Sequence, residues 1–114
     1  MTGPTAGGVY RVTVRGRFDG LDERTRARLM AAVDEHDIFV SAYTVEGTFT
    51  YDRKLEFFNL RYEVRLNGVT ATEKAAADAG LLEAEAFLTT LGYGFKGLRA
   101  KVVDMATMWS DDPG

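Results

Sequence analysis

The sequence predicts an α+β fold in which helices cover one side of a sheet. In four segments apolar and polar residues alternate, so each strand has one apolar face and one polar face. Two helical segments separate the strands in the order β-α-β-β-α-β. Because crossover connections are right-handed, this order favours a ferredoxin-like sandwich. Its antiparallel sheet has strand order 4-1-3-2, and both helices lie on one face.

The first strand and the first helix follow from residues 9–36. Residues 9–18 alternate regularly, which predicts a strand. Asp19 or Asp22 then caps a helix, because a short acidic side chain accepts hydrogen bonds from the free N–H groups of the first turn. We expect this helix to end near His36.

The second and third strands are predicted to form a hairpin. SAYTVEGTFTYD (41–52) and EFFNLRYEVRLNG (56–68) both alternate, and a polar turn joins them. We expect the following residues of these strands to point inward: Tyr43, Val45, Phe49 and Tyr51, then Phe58, Leu60, Tyr62, Val64 and Leu66.

The second helix and the last strand complete the pattern. Thr70-Ala71-Thr72-Glu73 fits a capping box at the helix start, and Gly92 is a natural helix end. The predicted apolar stripe of this helix is Ala77, Leu81, Ala84, Leu88 and Leu91. GLRAKVVD (97–104) then alternates and predicts the fourth strand.

Length and composition indicate one domain. The 114 residues are enough for one core, which we place at residues 9–110, after a flexible arm at 1–8 and before an acidic tail at 111–114. No apolar run is long enough to cross a bilayer, and the first residues do not form a secretory signal. The chain has no cysteine, which excludes thiolate chemistry and fits a reducing interior. We therefore expect a cytoplasmic protein.

Three segments carry a resemblance to a known family. RVTVRGRFDGL, EGTFTYDR and GYGFKGLRAKVVDM together resemble an uncharacterised family of small actinobacterial proteins, a domain of unknown function. The resemblance covers nearly the whole chain after residue 8. It implies a bacterial, cytoplasmic protein, and it implies no activity and no catalytic residues.

Two apparent motifs do not predict a cofactor or metal site. Gly92 to Gly97 matches G-x-G-x-x-G, but the match follows a helix and precedes a strand, so no helix N-terminus faces a phosphate. His36 is the only histidine, and its acidic neighbours point around a helix end rather than toward one centre. We expect no cofactor and no metal.

The polar face of the sheet has an unusual charge. It combines seven basic and two acidic residues, whereas the chain has 14 basic and 17 acidic residues, so the face is near +5 and the remainder near −8. Like charges on neighbouring strands destabilise pairing unless something compensates. We call this surface the basic face; its basic residues are Arg11, Arg15, Arg17, Arg61, Arg65, Arg99 and Lys101.

The basic face favours a binding domain for an anionic small molecule or an acidic partner, because arginine binds carboxylate and phosphate bidentately. Two further roles for the face stay open, a solvated network with Glu46 and Glu63 or a contact between subunits. Nucleic acid is not expected, because the central strands lack a platform of exposed aromatic rings.

An enzyme is the alternative function. A cofactor-free enzyme of the dimeric α+β barrel type, for example an oxygenase, isomerase or cyclase of bacterial secondary metabolism, would hold its substrate between sheet and helices. That pocket would be lined by Tyr43, Phe49, Tyr62 and Trp109. We also expect a homodimer, because the second strand is a long edge with little protective charge.

Overall fold

The computed structural model describes residues 8–36 and 42–106. The four strands form one antiparallel sheet in the order β2-β3-β1-β4, which is the predicted order counted from the opposite edge. With two α-helices in the described residues, the predicted α+β class is confirmed. The elements are β1 (Gly8–Phe18), α1 (Glu23–Ala31), β2 (Thr48–Tyr51), β3 (Phe57–Leu66), α2 (Glu73–Leu91) and β4 (Phe95–Asp104).

One core forms on the apolar face of the sheet. Val12, Val14 and Phe58 are fully buried there, as their alternation in the sequence predicts. Leu29 of α1 and Leu88 of α2 belong to the same core cluster, so both helices bury side chains in it. Among the described residues, neither helix has the length and apolar character that a membrane crossing requires.

The first helix begins as predicted and ends earlier than predicted. The Asp22 carboxylate accepts a hydrogen bond from the Thr25 N–H at 2.8 Å, which also lowers the pKa of Asp22. The helix ends at Ala31, and a 3₁₀ turn over Val33–His36 continues the chain. Val33 is buried in the core, as predicted. The 3₁₀ turn places it there, whereas we expected the α-helix to continue through this residue.

The second strand is much shorter than predicted. Only Thr48–Tyr51 form β2, and Val45, which was expected to point inward, is 65% exposed. Gly47 explains the difference, because its φ of +95° turns the chain away from extended geometry just before the strand. A Cβ at this glycine would lie 2.3 Å from the Tyr62 ring, so only glycine fits here.

The second helix has a different cap from the predicted one. Thr72, not Thr70, is the N-cap, and its hydroxyl accepts a hydrogen bond from the Ala75 N–H at 3.0 Å. Thr70 instead ends a short 3₁₀ turn, where its hydroxyl donates to the Asn67 carbonyl. Gly92 ends the helix with a φ of +75°, as predicted.

The buried stripe of α2 agrees with the predicted one at Ala84 and Leu88 and differs from it elsewhere. Leu91 is 44% exposed, and the fully enclosed positions follow a spacing of four residues. Gly80 lies against β1, where an added Cβ would come within 2.6 Å of Val12. Small residues let the helix approach the sheet closely, and hydrophobicity alone does not reveal them. The buried residues are Ala76, Gly80, Ala84 and Leu88.

Part of the predicted domain organisation lies outside the described residues. This applies to the arm at 1–8, apart from Gly8, and to the acidic tail at 111–114. The described elements run from residue 8 to residue 104, so β1 begins one residue before the range of 9–110 that was predicted for the domain.

Candidate functional site

The sheet register places the predicted basic residues on the face opposite the core. Residues directly opposite each other on antiparallel strands share a face, and Arg15 pairs with Asn59 on one side and Arg99 on the other. Arg61 is half-buried and the other six basic side chains are exposed. The seven residues that share this face are Arg11, Arg15, Arg17, Arg61, Arg65, Arg99 and Lys101.

Two like-charged pairs face each other across the β1–β4 ladder. Arg15 lies opposite Arg99, and Arg17 lies opposite Lys96. Within the described residues, no carboxylate forms an ion pair with Arg15, Arg17 or Arg99, and Lys96 approaches Asp19 only to 3.9 Å. Three positive charges, those of Arg15, Arg17 and Arg99, are therefore concentrated at one end of the basic face without a carboxylate partner among the described residues.

A β-bulge brings Lys96 into this group, although the alternation in the sequence did not predict it there. Between the two pairs β1 has one residue, Gly16, whereas β4 has two, so the register shifts. Gly97 lies in the bulge with a φ of +66°, which glycine adopts without strain. Strict alternation along β4 places Lys96 on the core side of the sheet. The only signal in the sequence for the bulge was Gly97.

A cavity of about 320 Å³ lies over the bulge on the basic face. Gly97 lacks a side chain and leaves the backbone open at the cavity floor, since nothing lies within 4 Å of where its Cβ would be. Gly16 is required on the core side of the sheet, since a Cβ there would lie 2.7 Å from the Phe58 ring. We call this the basic cavity; its lining residues are Arg15, Gly16, Arg17, Phe57, Gly97 and Arg99.

Phe57 positions two of the guanidinium groups. The Cζ atom of Arg15 lies 4.6 Å from the centre of the Phe57 ring, and that of Arg17 lies 4.9 Å from it. Such cation–π contacts are each worth about 0.5–1 kcal/mol at exposed sites. The ring therefore holds both arginines at the cavity without neutralising their charge.

Elsewhere on the basic face the arginines have protein partners. Arg65 forms an ion pair with Glu63 at 2.6 Å, and Arg61 donates a hydrogen bond to the Thr50 hydroxyl at 2.9 Å. The solvated network expected from the sequence thus exists at Glu63. Glu46 does not join it, because this residue lines a different cavity.

The tyrosine expected to line an inner pocket lies on the basic face instead. The Tyr43 hydroxyl lies 2.7 Å from the Thr13 hydroxyl, and the Arg11 guanidinium lies 5.3 Å from the ring centre. Phe49 and Tyr62 are in the core, 7% and 2% exposed. The inward direction predicted for Tyr43 is therefore wrong, since the chain before Gly47 is not part of β2. Trp109 lies outside the described residues.

A second cavity has the opposite charge. It has a volume of about 330 Å³ and carries two carboxylates, Glu46 and Glu83, near the buried Tyr62. Burial, with a smaller contribution from Glu83, raises the pKa of Tyr62 to about 12. The remaining lining residues come from the C-terminal half of α2: Ala86, Phe87, Thr90 and Leu91.

His36 has a structural contact. Its Nδ1 lies 2.8 Å from the Phe49 carbonyl oxygen, so the proton is on Nδ1 and this nitrogen donates. The ring also stacks on Tyr51, with 5.3 Å between ring centres. In the described part of the chain, no three histidine, aspartate or glutamate side chains are grouped to hold a metal ion.

Comparison with known proteins places the chain in a family. The model of a family of unknown function, DUF6204, matches residues 6–113. The chain belongs to this family. No curated protein and no solved structure matches the chain.

The glycine motif of this DUF6204 protein serves the backbone. Gly92 ends α2, and Gly97 occupies the bulge, both with positive φ. Gly94 packs against Asp19, the residue directly after β1, and an added Cβ would lie 2.0 Å from the Asp19 carbonyl oxygen. The interpretation of G-x-G-x-x-G as turn chemistry rather than a nucleotide site is consistent with these contacts.

Proposed function

We propose that this DUF6204 protein is a small cytoplasmic binding domain that recognises an anionic small molecule through its basic face. The observation that carries the proposal is the direct opposition of Arg15 and Arg99 at the basic cavity, without a carboxylate partner in the described residues. The residues assigned to the face are those predicted: Arg11, Arg15, Arg17, Arg61, Arg65, Arg99 and Lys101.

The physical argument is electrostatic. Like charges directly opposite each other on neighbouring strands destabilise the sheet. An anion between Arg15 and Arg99 replaces this repulsion with two attractions, and each guanidinium can present two N–H groups to one carboxylate or phosphate. The ligand therefore contributes more here than it would beside a single exposed arginine.

The basic cavity, rather than the whole face, is the proposed centre of recognition. Arg61 and Arg65 already have partners in Thr50 and Glu63. The cavity volume of about 320 Å³ lies at the lower end of the range for small-molecule sites. A stable protein partner instead needs about 800 Å² of surface on each side. Size thus favours a small anion over an acidic protein.

The finer description of the fold and source is part of the same proposal. The element order and the strand order support a ferredoxin-like sandwich with both helices on one face. The resemblance noted in the sequence supports an actinobacterial origin, and the lack of cysteine supports the cytoplasmic location.

The enzyme alternative gains no support from the described residues. Its pocket required Tyr43 beside Phe49 and Tyr62, but Tyr43 contacts Thr13 on the opposite face of the sheet. Packing two basic faces together in a closed barrel would also bring like charges together.

A homodimer is likewise proposed, with β4 as the edge that supports it. β2 has four residues, and the Phe49 carbonyl on it is bonded to His36, so this edge offers little for pairing. β4 is a ten-residue outer strand. Sedimentation at micromolar concentration tests this, and a monomer would contradict it.

The proposed function is tested by thermal unfolding in citrate and in chloride at matched ionic strength. We expect citrate to raise the melting temperature of the wild type beyond the effect of ionic strength, because a ligand that binds the folded state adds to stability. In the variant Arg15→Gln/Arg99→Gln this excess should disappear.

The matched control is Arg26→Gln/Lys54→Gln, which removes two exposed positive charges outside the basic face. It separates binding from the general stabilisation that excluded anions produce. Equal excess stabilisation of the wild type and both variants would contradict the proposal.

A further inference from the structure

The positive charge at the basic cavity is arranged in two separate groups along β1. Arg15 faces Arg99, and two residues further along the strand Arg17 faces Lys96. A strand rises about 3.3 Å per residue, so the two groups are about 6.6 Å apart at the backbone. This spacing favours a ligand with two anionic groups over a single carboxylate or phosphate.

We propose that the ligand is a two-headed anion, a small molecule with two carboxylate or phosphate groups separated by a short spacer. This inference rests on the proposed function and specifies its ligand. One head lies between Arg15 and Arg99, and the other is bound by Arg17 near Lys96. The spacer crosses the floor of the basic cavity at Gly97, which offers no side chain that would obstruct it.

Phe57 keeps the two heads apart. Its ring lies next to the guanidinium groups of both Arg15 and Arg17, with their Cζ atoms 4.6 and 4.9 Å from its centre. Because both cations contact the same ring, they are held before the ligand arrives and lose less side-chain freedom on binding. The ring positions the arginines and is not available as a free surface for stacking a base.

Charge and volume both limit the size of the ligand. The lining residues include three arginines and no carboxylate, which favours a dianion over a monoanion. A cavity of about 320 Å³ has room for a spacer of a few carbon atoms, but not for a folded domain. The second head therefore belongs to the same small molecule.

The test uses linear dicarboxylates of increasing spacer length, namely malonate, succinate, glutarate, adipate and pimelate, with hexanoate as the single-headed reference. Binding to the wild-type chain is measured by isothermal titration calorimetry at constant ionic strength. We expect affinity to peak at adipate or pimelate and to exceed that of hexanoate by about tenfold or more, because the second head adds a charge-assisted contact.

Variants that remove one charge test which residues bind the two anionic groups of the ligand. In Arg99→Gln, adipate affinity should fall to near the hexanoate value, whereas the control Lys54→Gln, at an exposed lysine outside the basic face, should keep the preference. Equal affinity across the series, or hexanoate binding as tightly as adipate, would overturn the two-headed ligand while leaving anion binding intact. Absence of binding by every member, together with no citrate effect, would instead overturn the proposed function.

Discussion

Arg15 and Arg99 lie directly opposite each other on the outer face of β1 and β4. Opposed positions on antiparallel strands bring the Cβ atoms within about 5.5 Å, so the two guanidinium groups share one region of solvent. Lys101, two residues from Arg99 on the same strand, faces the neutral Thr13. Arg99 therefore belongs to a like-charged pair, whereas Lys101 is a closely matched position that faces no charge.

Removal of one charge from this pair should stabilise the protein. In Arg99→Gln we expect the free energy of unfolding to rise by about 0.5 kcal/mol at low salt, because the cross-strand repulsion is lost. Urea denaturation at about 10 mM ionic strength is the measurement, since screening is then weak.

The control for this prediction is Lys101→Gln, which should change stability less because Thr13 carries no charge. The gain in Arg99→Gln should also shrink at high salt. Destabilisation of Arg99→Gln at low salt would show that Arg99 has an attractive partner, and the repulsive pair at the basic cavity would then be wrong.

Gly94→Ala should be more damaging than Gly92→Ala. The Cβ at Gly94 would lie 2.0 Å from the Asp19 carbonyl oxygen, so the backbone of β4 or β1 must move. At Gly92 the positive φ is unfavourable but the space is open, which costs about 1 kcal/mol. Thermal melts of both variants test this order, and a reversed order would contradict the packing described for the glycine motif.

The sheet was predictable because two strong signals agreed. Regular alternation over Val9–Phe18 and Phe57–Leu66 specified which residues enter the core, and topology rules then specified strand order. β2 was not predictable over its full length, because Tyr43 and Val45 continue the alternation while Gly47 reverses φ. A local turn of this kind overrides the pattern.

Loss of stability at high pH should follow from two tyrosines. Burial raises the pKa of Tyr51 and of Tyr62 from 10.0 to about 12. Folding thus favours the protonated phenol. The stabilisation that these two tyrosines contribute is therefore complete below pH 10 and is lost as the pH rises toward 12. The free energy of unfolding should therefore decrease across this interval.

Tyr51→Phe provides the check. Its hydroxyl donates to the Leu29 carbonyl at 2.7 Å, so the variant should lose about 1 kcal/mol at neutral pH. Between about pH 8 and about pH 11 it should lose less stability than the wild type, because one titrating group is gone. Urea unfolding at both pH values gives the comparison, and parallel losses would be evidence against the assignment.

His36 should stabilise the fold by its hydrogen bond to β2. In His36→Ala the Phe49 carbonyl loses its donor, which we expect to cost about 1 kcal/mol. In His36→Asn the side-chain N–H can take the place of Nδ1–H and should recover part of this loss. Chemical denaturation of both variants tests the contact, and equal stability of His36→Ala and the wild type would argue against it.

The composition of the basic face was predictable, but its centre was not. Alternation alone places Arg15, Arg17 and Arg99 on one surface. The opposition of Arg17 to Lys96 depends on a bulge, and the roles of Arg61 and Arg65 depend on where Thr50 and Glu63 point. Register shifts and side-chain directions are set by tertiary packing, so the sequence identified a charged face rather than a cavity.

The most direct test of anion recognition observes the arginine side chains themselves. In ¹⁵N-labelled protein the arginine Nε–H resonances are followed during a citrate titration, against chloride at the same ionic strength. We predict saturable shifts at Arg15, Arg17 and Arg99, and none beyond the chloride reference at the exposed Arg26 of α1. Shifts of equal size at all arginines, or none that exceed the chloride reference, would contradict an anion site on this face.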